Sequence, residues 1–341
     1  MNRGSNKALL AAAAGAGALI AARALIRRAR RYDVRGRVVL ITGGSRGLGL
    51  VLARELAREG ALLAICARGA EDLARARDEL EARGASVLAL PCDVTDRDMV
   101  EEMVRAVRDH FGRIDVLINN AGIIEVGPME VMTAEDYEDA MKTHFWAPLY
   151  TTLAVLPEMR GRGEGRIVNI ASIGGKISVP HLLPYSASKF ALVGFSEGLR
   201  AELAKDGIVV TTVCPGLMRT GSPRNATFKG QHRAEYAWFA ISDSLPVTSI
   251  AAERAARQVI EAFKRGDAEV VLTIQAKIAA LFHGVFPGLT ADILGAVNSL
   301  LPGPGGIGSG RAKGRESESK LAPSWLTALS DRAAEENNQI S

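Results

Sequence analysis

The sequence predicts an α/β fold, a doubly wound Rossmann-type parallel sheet of about seven strands with helices on both faces. Three observations carry this. From residue 37 onward, short runs rich in Val, Ile and Leu alternate with longer stretches of helical spacing. The short runs are continuously apolar, as expected of parallel strands covered on both faces. The first of them, RVVLI, runs directly into the glycine-rich stretch TGGSRGLG and then into an apolar helical pattern.

Taken in order, residues 38–41, 61–67, 86–90, 115–119, 166–171, 208–213 and 269–273 read as strands. Between them Leu48-Val51-Leu52-Leu56 and Met99-Met103-Val104-Val107 have the spacing of buried helix faces. Thr133 followed by Asp136 predicts a helix start. Beyond residue 273 the pattern changes. Ile278-Leu281-Phe282-Val285 and Leu289-Ile293-Leu294-Val297-Leu300 form two apolar helical stripes around Phe286-Pro287-Gly288. Residues 302–320, rich in Gly, Pro, Ser and charge, predict a flexible linker. Ser324 is placed to cap a short helix over 325–334. The chain thus divides into an N-terminal apolar and basic segment (1–34), a catalytic domain (35–273), an amphipathic helical extension (274–301) and a tail (302–341).

The net charge of +4 over 341 residues is uneven. Residues 1–37 carry nine Lys or Arg against Asp33, a net of +8, which leaves −4 for the remainder. A nucleic-acid partner would need its basic residues on the folded body, so none is expected. Cys66, Cys92 and Cys214 have neither metal-ligand nor CxxC spacing and read as buried thiols near strand ends.

The glycines at 43, 47 and 49 permit a tight turn, close backbone approach to a pyrophosphate and close helix–strand packing. Strand, loop and helix occur in the order such a site requires. The second strand should deliver a ribose-binding carboxylate roughly 20 positions on. It ends instead Ile65-Cys66-Ala67-Arg68. With Arg46 and Arg68 close to that point, NADP(H) is expected over NAD(H), its 2′-phosphate held by charge-assisted hydrogen bonds.

Farther along, PYSASK places Tyr185 and Lys189 four residues apart, on one helical face. An ammonium beside a phenol favours the phenolate, so the sequence predicts a Tyr185 pKa below its ordinary ~10. Ser172 closes the preceding strand and could hydrogen-bond the same substrate oxygen. Together with NNAG (119–122) and PGLMRT (215–220), these motifs resemble the classical short-chain dehydrogenase/reductase family over residues 36–273. The resemblance implies that Tyr185 is the proton donor in carbonyl reduction, that Lys189 assists it and holds the nicotinamide ribose, and that Ser172 orients the carbonyl. It further implies cofactor contacts from Thr42, Gly43, Ser45, Arg46, Gly47, Leu48, Gly49, Arg68, Asp93, Val94, Asn120, Ala121, Gly122, Pro215, Gly216 and Thr220, with Asn119 supporting the sheet. Homo-oligomerisation is implied in the same way.

One position departs from that pattern. His144, in MKTHFWAP, stands where the family places an asparagine whose backbone carbonyl helps hold a relay water. Either the ring is a tolerated replacement or its imidazole joins the relay.

Phe228, Tyr236, Trp238 and Phe239 cluster in the segment that covers the substrate in such folds, and predict a hydrophobic lipid-, steroid- or retinoid-like substrate. The segment 249–272 is similar to that of hydroxysteroid-dehydrogenase-like members. Two alternatives stand beside this reading: a weakly active NADP(H)-binding sensor or scaffold, and a soluble 3-oxoacyl reductase.

At the start of the chain, residues 8–22 are fifteen uninterrupted apolar or small residues; with Arg23 allowed to snorkel, the alanine-rich segment reaches Ile26, nineteen residues and ~28 Å as a helix against a hydrocarbon core of about 30 Å. Five basic residues, Arg23, Arg27, Arg28, Arg30 and Arg31, lie just beyond the uninterrupted apolar core, which disfavours a secretion signal. They predict a membrane anchor with the enzyme on its cytoplasmic side, the alternative being a soluble cytoplasmic protein.

Overall fold

The computed structural model describes residues 31–340, together with Gly15 and Gly17. Apart from those two glycines, the expected anchor therefore lies outside the described residues. Among those described, no helix is long and apolar enough to cross a membrane.

Seven parallel strands form the central sheet: β1 (Val38–Thr42), β2 (Leu62–Ala67), β3 (Val87–Pro91), β4 (Val116–Asn119), β6 (Gly165–Ile170), β7 (Ile208–Cys214) and β11 (Glu269–Val271), in the order β11-β7-β6-β4-β1-β2-β3. The seven expected strands are these, shifted at their ends by two residues at most. Because the chain winds outward from β1 in both directions, a crevice opens between the carboxyl ends of β1 and β4.

Helices α1 (Gly47–Arg58), α2 (Ala70–Ala82) and α8 (Ala252–Arg265) cover one face, where Val39, Ile41, Leu52, Leu56, Val259 and Phe263 are buried together. The other face carries α3 (Arg97–Phe111), α5 (Ala147–Arg162) and α6 (Leu183–Leu203), packed on Val38, Leu40, Leu117 and Ile167. The three cysteines are free and buried.

Thr133 and Asp136 open α4 (Ala134–Met141) with a reciprocal capping box. A π-turn over Lys142–Trp146 then joins α4 to α5. A buried polar chain crosses the sheet beneath the crevice. Thr151 donates to Asn119 Oδ1 (2.6 Å), Asn119 Nδ2 to Asn169 Oδ1 (2.8 Å), and Asn169 Nδ2 to Ser196 Oγ (3.0 Å). Asn119 thus supports the sheet, as the resemblance implied.

Small strands lie outside the sheet. β8 (Leu217–Arg219) pairs with β10 (Ser249–Ala251), and β9 (Thr227–Phe228) lies between β5 (Glu125–Val126) and β12 (Ala312–Lys313). The last pairing corrects the linker expected over 302–320. Lys313 aligns antiparallel with Thr227. Arg311 reaches Asp136, Asp139 and Glu125. Backbone pairing and a multidentate guanidinium hold a segment that composition alone marks as loose.

Past α7 (His232–Ser244), helices α9 (Ile274–Val285) and α10 (Pro287–Asn298) form the expected pair, with Ile278, Leu281, Val285, Leu289 and Ile293 exposed. The final helix, α11, spans Ala328–Glu336, three residues later than expected, with Thr327 rather than Ser324 at its N-cap. Ser324 instead closes a turn by accepting from the Leu326 N–H.

Candidate active site

The crevice holds a cavity of about 420 Å³ lined by the glycine loop, the ends of β2, β3 and β4, and the helix that carries Tyr185. Gly43, Ser45, Arg46, Gly47, Leu48, Arg68, Asp93, Val94, Asn120, Ala121, Gly122, Tyr185, Lys189, Thr220 and His144 all border it. Gly49 has no room for a side chain: a Cβ there would lie 2.1 Å from the Gly43 carbonyl oxygen. Gly47 has φ +55°, a left-handed conformation suited to glycine.

Four expected cofactor contacts do not border this cavity. Thr42 is buried below the loop, where its Oγ1 accepts the N–H groups of Asn120 and Ala121, both at 3.0 Å. Gly49 packs under the Gly43 carbonyl. Pro215 accepts the Ile173 N–H at 2.7 Å, and Gly216 abuts Thr273 and Ala276.

At the opposite end, Lys189 is buried and its Nζ donates to the Ile170 carbonyl at 2.8 Å. The ammonium stands 5.7 Å from the centroid of the Tyr185 ring. Burial pushes the Lys189 pKa down to about 7. Burial also raises the Tyr185 phenol above its ordinary value, opposed by a hydrogen bond with Ser172. This corrects the expected acidification of Tyr185 by Lys189. A desolvated pocket disfavours both charged forms, and the lysine faces the ring while spending a hydrogen bond on a carbonyl. Ser172, at the end of β6, accepts the Gly174 N–H at 3.0 Å.

His144 sits in the π-turn, buried, with its ring 5.3 Å from that of Tyr185 and nearly perpendicular to it. Its Nε2 accepts the Ile123 N–H at 3.1 Å and its Nδ1 lies 2.8 Å from Ser188 Oγ. Ser188 in turn donates to the Tyr185 carbonyl at 2.8 Å. Burial first, and then the nearby Lys189 charge, hold the imidazole well below its ordinary pKa.

The cradle fits a dinucleotide cofactor. Gly47 begins α1 at the cavity and carries no side chain there. Arg46 and Arg68 stand beside Ala67 at the end of β2, the point where a 2′-phosphate would be read. The short-chain dehydrogenase model matches residues 37–229, over half of the chain. The chain belongs to the short-chain dehydrogenase family.

Among its relatives, a dehydrogenase/reductase SDR family protein 7-like of Anopheles gambiae is 36% identical over 261 residues, covering 74% of this chain and 80% of that one. Gluconate 5-dehydrogenase of Gluconobacter oxydans is 38% identical over 189 residues, or 55% of this chain and 74% of that one. A tryptophan variant of actinorhodin polyketide ketoreductase, solved with NADPH, superimposes with a TM-score of 0.62 at 35% identity, covering 69% of this chain and 95% of that one. The protein is thus a short-chain dehydrogenase/reductase, an oxidoreductase of CH–OH and C=O groups on small molecules, in a fold that binds NAD(P).

Two features of the site carried no sequence signal. The π-turn has the same apolar spacing as an ordinary helix. The second feature is the C-terminal tail, which lies on the glycine loop: Gly47 donates its N–H to the Asn337 carbonyl at 2.9 Å, and Gln339 borders the cavity. The expected aromatic lid borders neither this cavity nor the neighbouring one: Phe228, Tyr236 and Phe239 are buried against one another, with Trp238 packed at their edge.

Proposed function

We propose that this short-chain dehydrogenase/reductase uses NADP(H) in preference to NAD(H) and interconverts a carbonyl and an alcohol on a hydrophobic substrate. The observation that carries the cofactor preference is the pair Arg46 and Arg68 at the end of β2, where Ala67 leaves no carboxylate to receive a ribose hydroxyl. The NADPH bound in the structure of the related actinorhodin ketoreductase supports the same preference.

When bound, NADP(H) supplies or accepts the hydride. The chain's own residues manage the proton and the geometry. Tyr185 gives its phenolic proton to the carbonyl oxygen during reduction and takes one back during oxidation. Ser172 holds that oxygen beside Tyr185. Lys189, poised near neutrality, would hold the ribose and return a proton toward the phenol. His144, neutral and bonded through both ring nitrogens, fixes the backbone around Tyr185 and leaves the relay to other groups.

The substrate class rests on the apolar surroundings of Tyr185, which packs against the cluster containing Val126, Leu182 and Phe239, with Ile124, Val179 and Trp238 at its edge. Tethering to a membrane through residues 8–26 suits such a substrate, and recovery of the full chain in the soluble fraction would exclude it. A 3-oxoacyl substrate is the second reading, favoured by a relative in Nostoc named ketoacyl reductase HetN, 40% identical over 181 residues, or 53% of this chain and 63% of that one. NADPH consumption with lipophilic ketones, small polar ketones and 3-oxoacyl thioesters decides between them. Activity confined to small polar ketones would overturn both.

A further inference from the structure

Beside the crevice lies a second cavity of about 610 Å³, bordered by Arg46 and Arg68 and also by Lys313. Lys313 belongs to β12, outside the residues that match the family model. Its backbone is fixed by pairing with Thr227, and its Nζ donates to Thr227 Oγ1 at 3.0 Å. The charge balance here is incomplete. Arg46 has Asp72 at 3.6 Å, whereas Arg68 and Lys313 form no ion pair among the described residues. The carboxylates on the cavity wall are already engaged. Asp139 and Glu125 face Arg311, and Asp93 Oδ1 accepts from the N–H and hydroxyl of Thr95. Partial burial and then the guanidinium groups of Arg46 and Arg68 depress the Lys313 pKa, so the three cations sense one another.

We propose that Lys313 is a specificity-determining residue of the cofactor site, joining Arg46 and Arg68 to bind the 2′-phosphate of NADP(H). This rests on the NADP(H) reading above. A phosphate dianion would relieve the mutual repulsion of the three groups and accept hydrogen bonds from each. The test is titration of the full chain with NADPH and with NADH, followed by binding rather than turnover. Lys313→Gln should weaken NADPH roughly tenfold and NADH less than twofold. Arg68→Ala serves as the control for the underlying reading. If Arg68→Ala loses NADPH selectivity and Lys313→Gln does not, or if Lys313→Gln weakens both cofactors alike, the role of Lys313 is refuted while the NADP(H) reading stands. If neither variant alters the NADPH-to-NADH ratio, both fail.

A different observation carries a second inference. The C-terminal residues are bound to the glycine loop by their own hydrogen bonds. Asn338, at φ +56°, donates to the Ser45 carbonyl (2.9 Å) and the Asp72 carbonyl (3.1 Å), and Arg54 donates to Asn337 Oδ1 (2.9 Å). Asn225 Nδ2 donates to Gln339 Oε1 (2.6 Å), and Gln339 Nε2 lies 2.6 Å from where a Gly47 Cβ would be. The Asn337 carbonyl takes the Gly47 N–H that opens α1, the kind of donor a pyrophosphate uses.

We infer that residues 337–339 compete with the cofactor for the glycine loop, so that binding displaces the tail. Asn338→Ala combined with Gln339→Ala, in the full chain, should tighten NADPH and NADH alike by roughly fivefold. Hydrogen exchange of the unaltered protein should show residues 337–340 losing protection when NADPH is added. Unchanged or weaker binding by the double variant, or increased protection of the tail with cofactor, overturns the competition.

Discussion

Ile123 donates its backbone N–H to Nε2 of His144 across 3.1 Å, which leaves Nδ1 to carry the ring proton and donate it to Ser188 Oγ at 2.8 Å. The tautomer follows from the partners: an N–H cannot be donated to a protonated nitrogen. A ring so engaged has no free lone pair for a relay. His144→Asn should therefore leave the pH–rate profile in place. It should lower stability by about 1–3 kcal/mol, because the shorter side chain leaves a buried partner unsatisfied. Thermal unfolding and a kcat–pH series check the two halves, and a displaced limb of the profile would return the imidazole to the proton path.

Lys189 gives a pH dependence of cofactor binding. With its pKa pushed down to about 7, the side chain is an ammonium below neutrality and an amine above it. An anionic cofactor favours the ammonium, so the dissociation constant of NADPH should rise as pH climbs from about 7 toward the pKa of the complex. Lys189→Met should bind more weakly at pH 6 and lose this dependence. A wild-type dissociation constant flat from pH 6 to 9 would contradict the assignment.

Asp243 controls a pH dependence of stability. Burial raises its pKa to about 7, opposed by a hydrogen bond from Ser330 of α11. A carboxyl whose folded pKa exceeds its unfolded value of ~3.9 stabilises the protein fully below that value. That contribution is lost as pH rises through 7. Relative to wild type, Asp243→Asn should gain about 2–4 kcal/mol between pH 4 and pH 8. Urea unfolding at both pH values measures the difference, and an equal difference at the two would disprove it.

Lys229 and Asp136 form a pair in which both side chains are buried, with Arg311 on the second carboxylate oxygen. Against the burial penalty, Lys229, the Thr133 backbone and Arg311 hold the Asp136 carboxyl well below its ordinary pKa. Lys229→Met removes one partner and should cost about 3–5 kcal/mol. The double change Lys229→Met with Asp136→Leu should cost less than the single one, and equal losses would deny the coupling.

The sheet is legible in the sequence because each strand is a continuous apolar run, and the site because TGGSRGLG, Ser172, Tyr185 and Lys189 fall at strand ends and on one helix face. What stays hidden depends on distant partners. The two-residue strand Ala312–Lys313 is too short to show periodicity, and its order comes from Thr227 and from carboxylates nearly two hundred positions earlier. Asn337–Gln339 carry no apolar pattern, since the tail binds through carbonyls and amides. The aromatic residues at 228–239 stand out by their clustering, yet clustering does not reveal that they are buried against one another. The raised Tyr185 pKa depends on how deeply the motif is buried, which spacing does not record.

The central claim is that Tyr185 is the acid–base group of an NADP(H)-dependent carbonyl–alcohol oxidoreductase. The most direct measurement compares wild type and Tyr185→Phe for NADPH oxidation with a lipophilic ketone, alongside NADPH binding by each. Wild type should consume NADPH faster than NADH. Tyr185→Phe should bind NADPH about as well yet turn over roughly 10²–10⁴-fold more slowly. A phenylalanine variant with wild-type turnover would contradict the account.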